Sequence, residues 1–354
     1  MAININSATN IGINSNVINV EVDISKGIPS FSIVGLADAS VREAKERVRA
    51  SIINSGFEFP LGRIVINLAP ADMRKVGTLL DLPIAIGILM ESNQIPKKEL
   101  EDYLLIGELS LNGRLNKSKG VISILLQGLV DNIKKFLIPE ENLSEVLEVS
   151  KGEVYLIKSL KDAINYINYE DILPVDYSEY NDKKEIESLL DFSAIIGQQS
   201  SKRALEIAAA GRHNIALFGN PGSGKTMLAK ALSSILPPLT EEEKIEVAKI
   251  YSICGMIDKY KNINIPFREP HNTISKTALI GGGKEVKPGE ITLAHNGILY
   301  LDEILEFKRD VLEALRGPLE EKIIRIDRLS ERLEMESDFQ LVASYNPCPC
   351  KFKS

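Results

Sequence analysis

The sequence predicts a two-domain α/β protein. Three observations carry that expectation: 354 residues suffice for two ordinary hydrophobic cores, strand-like and helix-like apolar patterns alternate along both halves, and a charged, weakly periodic stretch, DILPVDYSEYNDKKEIESLL, lies between them. The organisation that follows is an N-terminal α/β domain over residues 1–170, a linker over 171–190 and a second domain over 191–354. In the second domain, strands alternating with helices point to a parallel sheet covered on both faces.

Composition narrows the functional classes. Hydrophobic residues at 44% and charged residues at 26% suit a folded chain rather than a disordered one. The longest apolar run, Leu82 to Met90, contains a proline and is far too short to span a bilayer, so no membrane partner is expected. MAININSATNIG has neither a basic n-region nor an apolar core, so it does not read as a signal peptide. Three cysteines, two of them in one CxC, fit a reducing cytosol, and a cytoplasmic location is expected. A net charge of −7 does not favour non-specific nucleic-acid binding by the surface as a whole, so any DNA contact must come from local basic loops.

The first half reads as follows. INVEVDI (18–24) alternates apolar and polar residues and FSIVGL (31–36) is a short apolar run, both strand patterns. Ser40 and Glu43, at capping-box spacing, open a helix that carries Val41, Ala44, Val48 and Ile52 on one face and stops at Gly56. RIVINL (63–68) is a strand, and DLPIAIGILM starts a buried helix with Pro83 in its first turn. GELSLNGRL (107–115) predicts a hairpin turning at Asn112-Gly113, and KKFLIP (134–139) a further strand. In the second half SKRALEIAAAG (201–211) is a helix closed by Gly211, and NIALF (214–218) is a strand. Thr240 and Glu243 form a capping box for a helix reaching about Ser252; ILYL (298–301) and FQLVAS (339–344) are strands.

The chemistry concentrates after NIALF. Gly219, Asn220, Pro221, Gly222, Ser223, Gly224, Lys225 and Thr226 spell GNPGSGKT, a match to GxxxxGK[ST] between an apolar strand and a helix. Chance would give the bare pattern in roughly one chain of this length in a hundred. Glycines let backbone N–H groups turn inward around phosphate oxygens, and the helix N-terminus adds its dipole. Lys225 would reach the β- and γ-phosphates and Thr226 would hold Mg²⁺, which makes this an ATP or GTP site. ILYLDE puts Asp302 and Glu303 at the carboxyl end of a buried strand, where open α/β sheets bind ligands. Asp302 would hold the Mg²⁺ shell, Glu303 would orient and deprotonate the attacking water, and Asn346, just past FQLVAS, would sense the γ-phosphate.

These residues belong to longer blocks that carry a resemblance. IIGQQSSKRALEIAAAGRHN, GNPGSGKTMLAKALSSILPPLTEEE, GGGKEVKPGEITLAHNGILYLDEILEF, VLEALRGPLE and LVASYNPCPC together resemble the magnesium-chelatase-like AAA+ ATPases of the YifB/ComM competence-protein family. VEVDISKGIPSFSIVGLADASVREAKERVRASIINSGFEFP, NLAPADMRK, DLPIAIGIL and GELSLNGRL resemble that family's N-terminal domain, so the likeness covers essentially the whole chain. The resemblance implies an ATP- and Mg²⁺-dependent AAA+ motor, a homo-oligomer in the form of a hexameric ring, and DNA as partner, with branch migration during recombination of incoming strands. It aligns GGGKEVKPGE (281–290) with an insert that projects toward the ring pore, which makes Lys284 and Lys287 candidate DNA contacts. Lys322 and Arg325, in a hairpin expected after LRGPLE, are further candidates. Nothing here reads base edges, so backbone contacts and strong salt dependence are expected.

The sequence also departs from the family pattern. Its N-terminal domain resembles the proteolytic domain of Lon, but Leu79 stands at the nucleophile position and Ile122 at the lysine position, so a non-proteolytic scaffold is expected. In the family, NPCPCG is followed by a second cysteine pair, a DRID motif bearing the arginine finger, and a small helical lid. Here KFKS follows CPC, so the lid and finger are expected to be missing and hydrolysis to be weak. Cys348 and Cys350 alone cannot close a tetrahedral zinc shell, Cys254 reads as core, and Arg316, the nearby basic candidate for the nucleotide, reads as structural. Two other readings remain: a chelatase-type motor for metal insertion, and a non-catalytic ATP-binding fragment. The fused Lon-like domain favours the DNA-directed motor over the chelatase type.

Overall fold

The first two strands are β1 (Ile3–Ile11) and β2 (Asn14–Ser25), the second built on alternating apolar residues, and they pair antiparallel from Ile3↔Val22 to Ile11↔Asn14. The two-residue loop joining them begins with Gly12 at φ 62, which glycine adopts at little cost and which suits the twist of a tight hairpin. Two polar residues of β1 are fully buried and satisfied: Ser7 Oγ donates to the Leu105 carbonyl at 2.7 Å, and Thr9 Oγ1 accepts from the Val76 amide at 3.1 Å. The computed structural model describes residues 3–180, 190–260, 265–283, 287–327 and 332–347; Lys284, Cys348, Cys350 and residues 181–189 of the expected linker lie outside them. The chain divides into two compact units, Met1–Asp182 and Lys183–Ser354.

In the first unit, β3 (Ser30–Val34), β4 (Arg63–Ala69) and β5 (Tyr103–Leu105) precede a small hairpin of β6 (Glu108–Leu109) and β7 (Leu115–Asn116), followed by β8 (Lys135–Pro139) and β9 (Glu153–Ile157). Seven of these form one mixed sheet in the order β3-β4-β2-β1-β5-β8-β9. The helix Asp81–Glu91 is buried from Asp81 through Met90 and lies against this sheet, packed with Ile5, Val20 and Val22 in one core. Its approach needs Gly87, because a Cβ there would sit 2.5 Å from Val22 Cγ2. The helix Ala39–Asn54 buries Val41, Ala44, Val48 and Ile52 as its spacing predicts. Asp38, rather than Ser40, caps it: the extended backbone of Asp38 leaves its carboxylate to accept the Val41 amide at 2.8 Å, whereas Ser40 already lies inside the first turn.

In the second unit, β10 (Ile215–Phe218), β11 (Phe267–Arg268), β14 (Ile298–Leu301) and β17 (Gln340–Tyr345) form a fully parallel sheet in the order β10-β17-β14-β11. Between them come the short antiparallel pair β12 (Gly281–Gly282) and β13 (Lys287–Pro288), and the hairpin β15 (Ile323–Asp327) with β16 (Arg332–Glu336). Burial of the sheet is uneven: all of β14 is buried, while edge strand β10 exposes Ala216 and Phe218. Helix Gln199–Gly211 runs through Gly211, and Arg212 takes the left-handed cap position at φ 49. The capping box of Thr240 and Glu243 is present, opening helix Glu241–Ile253. Cys254 caps the far end of that helix half-exposed, not in the core, because the chain turns out at Gly255 (φ 66).

Candidate active site

β10 ends at Phe218, and Gly219 to Thr226 then form a loop and the opening turn of helix Lys225–Leu232. Gly222 at φ 77 and Gly224 at φ 86 occupy left-handed positions that side chains other than glycine resist. The Lys225 ammonium donates to the Gly219 carbonyl at 2.8 Å, to the Asn220 carbonyl at 3.1 Å and to Asn346 Oδ1 at 2.9 Å. Beside this loop a cavity of about 330 Å³ opens between the start of helix Gln199–Gly211 and β10, lined among others by Gln198, Ala204, Phe218 and Gly219.

Parallel pairing brings the remaining residues to the same edge. β17 lies between β10 and β14, with Leu217 opposite Ser344 and Leu301 opposite Ala343, so all three carboxyl ends meet. Asp302 and Glu303 leave β14 there, and Asn346 leaves β17. The Asn346 amide donates to Glu303 Oε1 at 2.9 Å while its own oxygen accepts from Lys225, so one side chain joins the loop lysine to the strand-end glutamate. Glu303 adopts φ 52, a strained conformation for a residue with a side chain, and its amide donates to Ser344 Oγ at 3.1 Å. Asp302 Oδ1 accepts from the Tyr300 hydroxyl at 2.7 Å and, more closely, from Ser344. The Tyr300 and Thr226 hydroxyls lie 3.3 Å apart.

The electrostatics follow from these contacts. Burial alone would raise the Asp302 carboxyl, yet donors from Ser344, Tyr300 and the Glu303 amide, with the Lys225 charge, hold it below its ordinary value. Burial pushes the Tyr300 phenol up to about 12. Thr226, Asp302, Glu303, Lys225 and Asn346, all singled out from sequence, therefore belong to one hydrogen-bonded cluster. Tyr300 and Ser344 were not: a tyrosine within ILYL reads as core, and a serine at a strand end reads as a turn residue.

Other sequence candidates lie elsewhere. Lys287 is exposed on β13. Lys322 donates to Asp338 at 2.8 Å, and Arg325 on β15 donates to Glu334 at 3.1 Å and to Glu321. Arg316 is an exposed residue paired with Glu320 one helical turn on. In the first unit Leu79 and Ile122 are buried apolar side chains, and neither is a nucleophile or a base.

Among the described residues one further group, Glu246, His295 and Glu336, gathers metal-type ligand atoms within 4.8 Å of one another. The Asp338 amide donates to His295 Nδ1 at 3.1 Å, which leaves a neutral ring its proton on Nε2, 3.2 Å from Glu246 Oε2 and 3.0 Å from the Asn296 amide nitrogen. A cation on Nε2 would drive that proton to Nδ1, against the Asp338 N–H. The group is a hydrogen-bond bridge from helix Glu241–Ile253 to the end of β16.

The family model described as magnesium chelatase, subunit ChlI, matches residues 191–354, and one described as subunit ChlI of Mg-chelatase matches residues 20–142. Competence protein ComM of Haemophilus influenzae is 42% identical over 349 residues, which cover 97% of this chain and 68% of that protein. Protein YifB of Salmonella typhimurium is 43% identical over 340 residues, covering 96% of this chain and 67% of YifB. The magnesium-chelatase 67 kDa subunit of Heliobacterium mobile is 27% identical over 188 residues, 45% of this chain and 28% of that subunit.

Proposed function

Given that the chain belongs to the YifB/ComM family of magnesium-chelatase-like proteins, we propose that its second unit is an AAA+ domain that binds and hydrolyses ATP, and that copies of the protein form a ring acting on DNA. The observation that carries the ATPase reading is the Asn346 side chain, bonded at once to Lys225 and Glu303. Lys225 supplies the positive charge for the β- and γ-phosphates, with loop amides and the helix N-terminus completing the cradle. Thr226 and Asp302 offer a hydroxyl and a carboxylate held by one phenol, hard oxygen donors of the kind Mg²⁺ takes. Mg²⁺ bound with the nucleotide supplies charge neutralisation on the phosphates. Glu303 removes the proton of the attacking water, and Asn346 fixes where the Glu303 carboxylate stands. The cavity beside Gln198 and Phe218 has room for the nucleoside.

The long match to a competence protein supports a DNA-related role, and branch-point movement, a hexameric ring and a cytoplasmic location are what the family resemblance implies. Lys284, Lys287, Lys322 and Arg325 are the side chains through which it would hold the phosphate backbone. The Lon-like first unit then acts as a scaffold without proteolytic chemistry. A chelatase-type motor is the second reading, favoured by the names of the matching families. The first stands ahead because its relative matches along both units, whereas the chelatase subunit matches less than half the chain. The test is a titration with fluorescent duplex DNA at several salt concentrations. Binding should weaken steeply with salt, and Lys287→Ala should lower the log–log slope by about 1. Binding indifferent to salt and to the substitution would remove DNA from this account.

A further inference from the structure

Tyr300 sits inside the buried run ILYL, and its side chain is among the largest fully buried in the molecule. The ring packs 6.0 Å from Phe267, a contact that a phenylalanine would make equally well. Packing therefore accounts for the ring and leaves the hydroxyl unexplained. That hydroxyl lies 2.7 Å from Asp302 Oδ1 and 3.3 Å from Thr226 Oγ1. A phenol has one proton, and the ionised carboxylate, the closer and stronger acceptor, takes it. The Tyr300 oxygen is then an acceptor toward Thr226, which turns the threonine hydroxyl proton away and leaves Thr226 Oγ1 its lone pairs. On Asp302 the donors from Tyr300 and Ser344 both fall on Oδ1, so Oδ2 keeps lone pairs to give.

We propose that Tyr300 is a positioning residue that sorts the protons of both cation ligands at once, and so sets the affinity of the nucleotide site for its divalent ion. The proposal rests on the reading of Thr226 and Asp302 as those ligands. It differs from a packing role because it ties one buried hydroxyl to the metal dependence of ATP binding, not to ATP binding itself. Ligand-orienting partners of this kind are worth about ten- to a hundredfold in metal affinity.

The experiment compares the parent chain, Tyr300→Phe and Asp302→Asn by calorimetric ATP titration in EDTA and across a Mg²⁺ series, with Mn²⁺ binding to the ATP complex read by electron paramagnetic resonance. Tyr300→Phe should keep the parental ATP affinity in EDTA and need about tenfold more Mg²⁺ or Mn²⁺ to reach half-saturation. Asp302→Asn should lose still more of the metal dependence. If Asp302→Asn changes the metal dependence and Tyr300→Phe does not, the phenol is a packing residue and the proposal fails while the ligand reading stands. If Asp302→Asn itself keeps the parental metal dependence, the ligand reading fails and takes the proposal with it. Loss of EDTA-resistant ATP binding in Tyr300→Phe would show that the hydroxyl serves the fold, which also overturns it.

Discussion

Each unit sets an aspartate beside a buried apolar run, Asp81 at the start of DLPIAIGILM and Asp302 at the end of ILYL, and the two are treated differently. Asp81 is fully buried; Arg47 grips both its oxygens at 2.7 and 3.0 Å, and the Leu109 amide adds a third bond at 3.2 Å. Burial pushes its carboxyl up to about 6 even against the Arg47 guanidinium. Asp302 is held low instead, and its two side-chain donors, Tyr300 and Ser344, use one oxygen. The lysines repeat the contrast. Lys75 is fully buried, bonded to the Pro70 and Met73 carbonyls, and burial lowers its pKa. Lys225 is only part-buried and shares Asn346 with Glu303. Asp81 has both oxygens taken by Arg47 inside the first unit, whereas Asp302 and Lys225 are assembled with Glu303 and Asn346 at a sheet edge, where the side-chain donors to Asp302 both fall on Oδ1.

The sharpest way to break this contrast is Glu303→Gln. Removing a general base should lower the ATP hydrolysis rate by about 10²- to 10⁴-fold while ATP affinity stays within about twofold. A phosphate-release assay beside calorimetry reads both, and unchanged turnover would mean that the base is another residue. A smaller effect separates the aspartates by pH. The folded-state pKa of Asp81, about 6, lies above the ordinary unfolded value, so the folded protein binds more protons between about pH 4 and pH 6. Its contribution to stability is therefore full below about pH 4 and is lost as pH rises through about 6, by up to about 3 kcal/mol. Urea unfolding followed by hydrogen exchange in helix Asp81–Glu91 should show that decline, and Asp81→Asn should flatten it. Parallel pH curves for the two proteins would place the Asp81 carboxyl in the ordinary range.

What the sequence reveals of this divides along the same line. The loop from Gly219 to Thr226 is legible because its glycines, Lys225 and Thr226 are contiguous, and each answers a local backbone or charge requirement. Asp302 and Asn346 are legible as polar residues that end apolar strands, since parallel strands deliver their ends to one edge. Tyr300 and Ser344 are not, because their meaning comes from Asp302 and from Thr226, 74 residues away from Tyr300 in the chain. β1 is hidden for a related reason: ININSATNI looks polar, yet Ser7 and Thr9 are buried and bonded to Leu105 and Val76 from distant segments. Asp38 and Ser40 are both able caps, and only the backbone course at Asp38 decides between them. The DNA candidates depend on tertiary surroundings as well, as the carboxylates around Arg325 show.

The central claim is that the cluster around Lys225 is a nucleotide site, and calorimetric titration of the chain with ATP and Mg²⁺ tests it most directly. The parent should bind, and Lys225→Ala, which removes the charge meant for the β- and γ-phosphates, should lose at least about tenfold in affinity, about 1.4 kcal/mol or more. ATP affinity that is the same with and without the Lys225 ammonium would contradict the assignment.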